Sequence, residues 1–386
     1  MPDGTVGVSN YHELQFICSL IVLYNHEMDW RLEDRIRKGR GAISNRSGRF
    51  ETAERYLIDD GWVTEKNEPE HIATTLSVDT ARTVITRNNS PDVPFDRSIN
   101  PYRGCEHGCI YCFARPTHAY HGLSPGLDFE TRLFYKPDAA ERLRIELDEQ
   151  NYAVDVMALG TNTDPYQPIE RQIKLTRRII EVLAEYNHPF GIVTKSDLVL
   201  RDTDIIGPMA AKGMATVTVS VTTLDRALAH KLEPRAPTPQ KRLAAIVSLA
   251  SLRIRTGVLV APIIPALNDI EMEKIVGEAA KAGAVRAGYV LLRLPLETSD
   301  LFSEWLKVHF PDKASHVLNL VRDTHLGKIY DSNWNQRMVG SGPYADMLSQ
   351  RFKRVLRKYG LDKQSADLDL SLFRRPPHAG VQLDLL

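Results

Sequence analysis

VDVMALGTNTDPYQPIERQIKLTRRIIEVLAEYNHPFGIVT, residues 154–194, decides the architecture of this chain. The stretch opens on one apolar run, VDVMALG, and closes on another, FGIVT, with LTRRIIEVLAEY (175–186) between them at helical apolar spacing. Two short strands joined through a helix lie parallel, because the crossover returns the chain to the same end of the sheet. The alternation continues on both sides. TVIT (83–86), ATVTVSV (215–221), TGVLVAP (256–262) and AGYVLLRL (287–294) supply four more strands, and PQKRLAAIVSLASL (239–252) supplies another helix. Six strands with helices between them predict an α/β fold, an open or closed barrel with its helices outside. Chemistry in such barrels gathers at the C-terminal ends of the strands, so the loop just after each run is where functional residues belong.

The 386 residues, 43% apolar and 25% charged, suit one large core with appendages. Basic and acidic side chains number 49 each, so any attraction to nucleic acid has to come from local patches. Beyond residue 300 the chain turns helical (LFSEWLKVHF, YADMLSQRFKRVLRKYG), and a tail containing Pro and Gly starts at Pro376. Ahead of the strands, RLEDRIRKGRGAISNRSGRF (31–50) lacks apolar periodicity and reads as a basic loop or arm. Its Arg35, Arg37, Lys38 and Arg40 are candidates for phosphate contact, set against a plainer reading as a solvated leader. The expected division is an N-terminal extension and arm over 1–81, a barrel over 82–300, a helical extension over 301–375 and a flexible tail over 376–386. The apolar run Leu14 to Tyr24 is too short to span a bilayer and has no Lys or Arg before it, so neither a membrane span nor a signal peptide is expected. Met28 is an alternative start to Met1.

Three of the four cysteines fall within eight residues, in NPYRGCEHGCIYCFARPTHAYHG (100–122). A secreted disulfide scaffold spreads its thiols out, so a reducing, cytoplasmic setting is expected. Three thiolates on one loop can hold three irons of a cubane, with Gly104 and Gly108 permitting the tight turns. The fourth iron is then open. A zinc site is the structural rival and would need His107, His118 or His121 to complete four ligands at an unusual spacing.

The spacing Cys105-x3-Cys109-x-Tyr111-Cys112 resembles the signature of the radical S-adenosylmethionine (SAM) superfamily, and the resemblance covers about residues 82–295. It implies a partial (β/α)6 barrel, a 4Fe-4S cluster on Cys105, Cys109 and Cys112, and SAM chelated to the open iron. It also implies one-electron cleavage of SAM to a 5′-deoxyadenosyl radical, fed by an electron donor such as flavodoxin or ferredoxin. Thr161, Asn162, Thr163 and Asp164 occupy the loop where the superfamily binds the methionyl amine, and their oxygens suit an ammonium. A plainer role for Asn162 and Asp164 is an Asx turn capping the next helix. Ser220 matches a position that often contacts SAM, Lys195, Glu233 and Arg235 lie on the same rim, and Lys195 or Arg235 suits the methionyl carboxylate. Ala261 and Pro262 fall where the superfamily lines the adenine.

Segments 37–51, 100–122, 161–170 and 233–243 look like a bacterial group close to spore photoproduct lyase. That resemblance points towards a DNA or RNA lesion or base as substrate. One departure matters: the lyase family's cysteine hydrogen donor falls at Thr161 here, and a hydroxyl is a far poorer hydrogen-atom donor than a thiol. Photoproduct lyase activity itself is therefore not expected, and Cys18 is the sole remaining thiol. The C-terminal Gln382-Leu383-Asp384-Leu385-Leu386 resembles a sliding-clamp-binding peptide, with a short apolar tail as the alternative. Two further readings stand beside the nucleic-acid one: a radical SAM enzyme acting on a small molecule or protein side chain, and a non-catalytic cluster or zinc protein.

Overall fold

Five of the six expected runs form parallel strands of a single sheet. The structure is a computed structural model that describes residues 36–51, 72–363 and 367–377, so Cys18, Met28, Arg35 and Gln382 to Leu386 lie outside the described residues. The strands in chain order are β1 (Thr75–Val78), β2 (Ile85–Arg87), β3 (Arg97–Ile99), β4 (Tyr102–Arg103), β5 (Arg132–Tyr135), β6 (Met157–Leu159), β7 (Phe190–Thr194), β8 (Ala215–Ser220), β9 (Thr256–Ile263) and β10 (Arg286–Leu291). Seven of these assemble in the order β10-β9-β8-β7-β6-β3-β2, and β1, β5 and β4 form a small second sheet. All neighbours in the large sheet run parallel except β2, which pairs antiparallel with β3 at the edge. The sheet does not close on itself by strand pairing among the described residues.

One expectation is corrected here. The run TVIT becomes the antiparallel edge strand β2, and the strand that leads into the cysteine segment is β3, Arg-Ser-Ile. Three residues are too few to display an alternation, and an arginine at the first position disguises a buried strand. Arg97 is buried because its guanidinium pairs with Asp96 at 2.7 Å and lies 5.5 Å over the Tyr152 ring.

The two faces of the sheet differ in kind. Ile192, Val217, Val219, Val258 and Val260 point outward into a core shared with Ile179, Ile180 and Leu183 of the helix Leu175–Glu185, Ile246 and Leu249 of Pro239–Ser251, and Ile275 and Val276 of Met272–Lys281. Each such side chain contributes about 1.5–3 kcal/mol when fully buried. The helix Pro239–Ser251 starts on Thr238, whose hydroxyl accepts from Lys241 N, with proline at the first helical position. The opposite, inner face carries Gly191, Val193, Thr218, Leu259, Ala261, Arg286 and Gly288, all partly exposed.

A second apolar cluster joins the arm to the C-terminal helices: Ala42 and Ile43 pack with Leu292, Leu301, Phe302 and Trp305. Arg40 is buried and donates to the carbonyl of Glu130 at 2.9 Å and to that of Ile72 at 2.5 Å. Its guanidinium is thus spent inside the protein and does not face a phosphate backbone, while Lys38 is exposed. In the helix Pro343–Tyr359, Arg351 forks onto Glu273 of the helix Met272–Lys281 on the outside of the barrel, so this basic stretch is only partly free. No helix among the described residues is long and apolar enough to cross a membrane.

Candidate active site

The cysteine segment starts where β3 ends, at the C-terminal side of the parallel strands. Cys105 and Cys109 are buried and Cys112 is half-buried. Gly104 and Gly108 adopt φ of +77° and +67°, conformations that L side chains rarely take. A Cβ on Gly108 would also stand 2.8 Å from Glu130 Oε2. The loop's carbonyls are gathered by Arg115, which is fully buried: Nε donates to Cys109 O (2.9 Å), Nη1 to Pro125 O and Gly126 O (3.0 and 2.9 Å), and Nη2 to Gly108 O (3.3 Å) and Glu130 Oε1 (2.5 Å). Glu130 in turn accepts from the arm, from Gly41 N at 2.9 Å and Ala42 N at 2.8 Å. Arm and cysteine loop are therefore one hydrogen-bonded unit. Nothing distinguishes Arg115 or Glu130 in the sequence, since neither stands in a periodic or spaced pattern.

Burial pushes all three thiols up, Cys109 to about 12. Such thiols gain when a metal cation binds, because the thiolate it stabilises releases its proton to solvent and the metal charge replaces the lost hydration. Two of the neighbouring histidines have polar contacts of their own. His118 Nε2 donates to Arg132 O at 2.9 Å, and His107 Nδ1 stands 3.4 Å from Asp164 Oδ2. No three His, Cys, Asp or Glu side chains among the described residues come together around a single ion. A cubane makes no such demand, because each thiolate takes a different iron.

The loop after β6 faces the cysteines. Asp164 Oδ1 accepts from Tyr166 N (2.9 Å) and Thr194 Oγ1 (2.7 Å), and Oδ2 from Lys195 N (2.7 Å). Burial alone would raise this carboxyl, but His107 and these donors outweigh it and hold it at about 2. Asp164 thus makes the Asx turn and ties the end of β6 to the end of β7. Thr163 Oγ1 donates to Tyr102 O at 3.0 Å, and Thr161 Oγ1 lies 3.4 Å from Asn100. Asn162 is half-buried, with its backbone N–H on Asn100 Oδ1.

Lys195, Glu233 and Arg235 part company in the structure. Glu233 is buried and accepts from Tyr111, Thr222 and Arg242; burial works to raise it, and the charges of Arg242 and Lys195 hold it at about 2. Arg235 pairs with Glu106 at 3.0 Å. The Lys195 ammonium has no hydrogen-bond partner among the described residues, lies 5.7 Å over the Tyr111 ring, and is kept protonated against burial by the charges of Cys109 and Glu233. Ser220 is buried, its hydroxyl on Ala261 O at 3.3 Å. Thr222 and Arg242, which the sequence reading passed over, complete the Glu233 network.

Residues 99–279 match the family profile of the Radical SAM superfamily, the span from the end of β3 through the cysteine loop and the parallel strands as far as β9 and its following helix. The chain belongs to the radical SAM superfamily. An uncharacterised protein from Mycobacterium bovis is 36% identical over 280 residues, 71% of this chain and 77% of that one. Another uncharacterised protein, from Methanocaldococcus jannaschii, is 28% identical over 221 residues, 57% of this chain and 79% of that one. Among solved structures, spore photoproduct lyase complexed with dinucleoside spore photoproduct has the same fold at a TM-score of 0.54 and 17% identity, over 74% of this chain and 79% of that one. A doubly substituted mutant of that lyase, with bound AdoMet and dinucleoside spore photoproduct, gives 0.53 at 17% identity over 74% of this chain and 79% of that one.

The radical SAM family implies a 4Fe-4S cluster and SAM, and the residues present fit both. Three thiols on one glycine-hinged loop, two buried and one half-buried, are of the number and kind to supply three of a cubane's four ligands. Near them stands the Lys195 ammonium, with no hydrogen-bond partner among the described residues, a group able to pair with an anion.

Proposed function

We propose that the protein holds a 4Fe-4S cluster on Cys105, Cys109 and Cys112, binds SAM beside it, and acts on a lesion or base in DNA or RNA. When bound, such a cluster supplies the electron that cleaves SAM to a 5′-deoxyadenosyl radical. The chain's own part is positioning. Lys195 takes the methionyl carboxylate, because of the two rim cations Arg235 is paired with Glu106 while the Lys195 ammonium has no ion pair among the described residues. Thr161 and Asn162 flank the methionyl amine, with Thr163 and Asp164 bracing their loop. Ser220, Ala261 and Pro262 line the nucleoside, and Glu233 and Arg235 act on the cluster loop from behind.

Lys195, with no hydrogen-bond partner among the described residues and close to the cysteine loop, is the observation that carries this reading. Anaerobic reconstitution with iron and sulfide, then dithionite and SAM, tests it by chromatography for 5′-deoxyadenosine. Formation is expected. A well-reconstituted cluster that yields none refutes the catalytic reading.

The nucleic-acid part draws on the lyase whose structure holds a dinucleoside photoproduct. With Thr161 at the position of the lyase's donor cysteine, a different fate of the substrate radical is proposed. A small-molecule or protein side-chain substrate is the second reading, favoured by the internal use of Arg40 and Arg351. Oligonucleotide binding that weakens steeply between roughly 50 and 200 mM salt supports the first reading, and its absence the second. Flavodoxin or ferredoxin is the proposed reductant, the barrel is proposed to span 82–300, and Gln382 to Leu386 is proposed as a clamp-binding tail.

A further inference from the structure

The register of the parallel strands places Val193, Thr218, Gly257 and Arg286 side by side on the inner face of the barrel. One layer further from the cysteine end, Ser98, Ala158, Gly191 and Thr216 stand side by side in the same way. In a packed barrel these layers are filled by branched apolar side chains. Here Val193 is the one branched apolar side chain and the rest are Ser, Ala, Gly, Thr and Arg286, with Gly191, Val193, Thr218 and Arg286 partly exposed, so this wall is lined by small and polar groups.

Arg286 reaches across that wall. Gly257 on the intervening strand has no side chain to obstruct it, and a Cβ there would stand 2.8 Å from both Cγ and Nε of Arg286. The guanidinium lands on β8, where Nη2 donates to Thr216 Oγ1 at 2.8 Å and Thr218 Oγ1 at 2.9 Å. Nε and Nη1 keep donors with no partner among the described residues. Nor does any described carboxylate pair with this charge. Arg97, Arg115, Arg201 and Arg242 each have an acidic partner, whereas the charge that bears on Arg286 is Arg255, of like sign. A partly buried cation without a counter-ion among the described residues is costly to keep, and its fork of free N–H groups matches an oxyanion.

We propose that Arg286 is the receptor for an oxyanion of the substrate, a phosphate or a carboxylate, held on the inner wall of the barrel. The proposal rests on the reading of this barrel as a catalytic chamber. Thr218 precedes Ser220 by two residues on the same face, which sets it about 7 Å deeper, and Thr216 lies about 13 Å deeper. The guanidinium between them therefore holds its anion roughly 10 Å below the level at which Ser220 lines SAM. The substrate places its reacting carbon near the mouth and its charge at this depth.

The test is calorimetric titration of the reconstituted, SAM-loaded protein with inorganic phosphate, thymidine 5′-monophosphate and acetate. Wild type is compared with Arg286→Gln, which removes the charge, and Gly257→Ala, which keeps the charge and displaces it. Binding to wild type and a loss of affinity of about 10-fold or more in both variants is expected. Phosphate or the nucleotide binding more tightly than acetate assigns a phosphate group, and the reverse order assigns a carboxylate. Removing an uncompensated charge is also expected to raise the melting temperature of Arg286→Gln by about 2 °C or more. Equal affinity in wild type and Arg286→Gln, no binding of any anion, or a melting temperature that falls in Arg286→Gln overturns the proposal. Phosphate binding without oligonucleotide binding keeps the proposal and removes the nucleic-acid reading alone. Phosphate binding without 5′-deoxyadenosine formation removes the catalytic reading alone.

Discussion

Arg337 forks onto Asp92, with Nε 2.7 Å from Oδ2 and Nη2 2.6 Å from Oδ1, and the pair spans the two open edges of the parallel sheet. Asp92 sits in the loop joining β2 to β3 at one edge. Arg337 sits beside Met338, whose carbonyl accepts from Leu291 N at the end of β10, the other edge. Asn335 N adds a longer bond to Asp92 at 3.3 Å. Strand pairing leaves the barrel open, and this fork draws its edges together.

Breaking the fork is expected to destabilise the protein without unfolding it. Asp92→Asn keeps the shape and removes the charge, and should cost about 2 kcal/mol in urea denaturation at neutral pH. Arg337→Lys, which keeps the charge and loses the bidentate geometry, should fall between wild type and Asp92→Asn. The bond to Arg337 holds Asp92 below the usual carboxylate range, so its contribution is complete above that range and disappears as pH falls through its folded value. An Asp92→Asn midpoint equal to wild type at neutral pH would sink the assignment.

The arm is expected to matter for cluster retention more than for the barrel. A Cβ on Gly41 would stand 1.9 Å from Gly108 O, so Gly41→Ala must push the arm off the cysteine loop. Glu130→Gln leaves the Arg115 charge buried without a partner, a loss of about 3–5 kcal/mol. Both variants should hold less iron per chain after reconstitution while circular dichroism stays close to wild type. Full iron content in both would show that the arm merely covers the loop.

Much of this was legible in the sequence, and what was missed has physical reasons. Long strands such as Ala215–Ser220 and Thr256–Ile263 announce themselves through β-branched runs, and the cysteine spacing marks the loop proposed to hold the cluster. Arg97–Ile99 does not, because three residues hold no period and their burial rests on an ion pair with Asp96. The site residues divide in the same way. Sequence puts Lys195, Glu233 and Arg235 on a common rim, yet which of them is free depends on Glu106 and Arg242, and such pairings arise only in three dimensions. Arg286 was invisible for a related reason: its meaning lies in the lack of a described carboxylate across two strands.

That distinction between the rim cations is measurable. Lys195→Ala should weaken SAM binding to the reconstituted protein by about 10-fold or more, read by calorimetry, because a carboxylate loses its charge partner. Arg235→Ala should change SAM affinity far less and act instead through Glu106, on the cluster loop, as lower iron content. If Arg235→Ala weakens SAM binding more than Lys195→Ala, the roles are reversed.

The pH dependence of folding should come from buried histidines held neutral, His188 and His118 foremost. His188 is fully buried, its Nδ1 donating to Pro189 O at 3.0 Å and its Nε2 accepting from Tyr152 at 2.7 Å; burial pushes it down to about 4. His118, also fully buried, falls to about 4 for the same reason. An unfolded histidine takes its proton near pH 6.5, so between 6.5 and 4 the unfolded chain binds protons that the folded one refuses. Stability is therefore complete above that window and falls as the solution is acidified. By pH 5 each histidine should have cost about 2 kcal/mol. Asp164 and Glu233, held near 2, change little above pH 5 and cannot account for the loss. Urea denaturation at pH 7 and pH 5 measures it, and His188→Gln should remove the His188 share of the difference, since His118 and the buried His325, also pushed down by burial, remain. A difference between the two pH values that survives intact in His188→Gln would place its origin elsewhere.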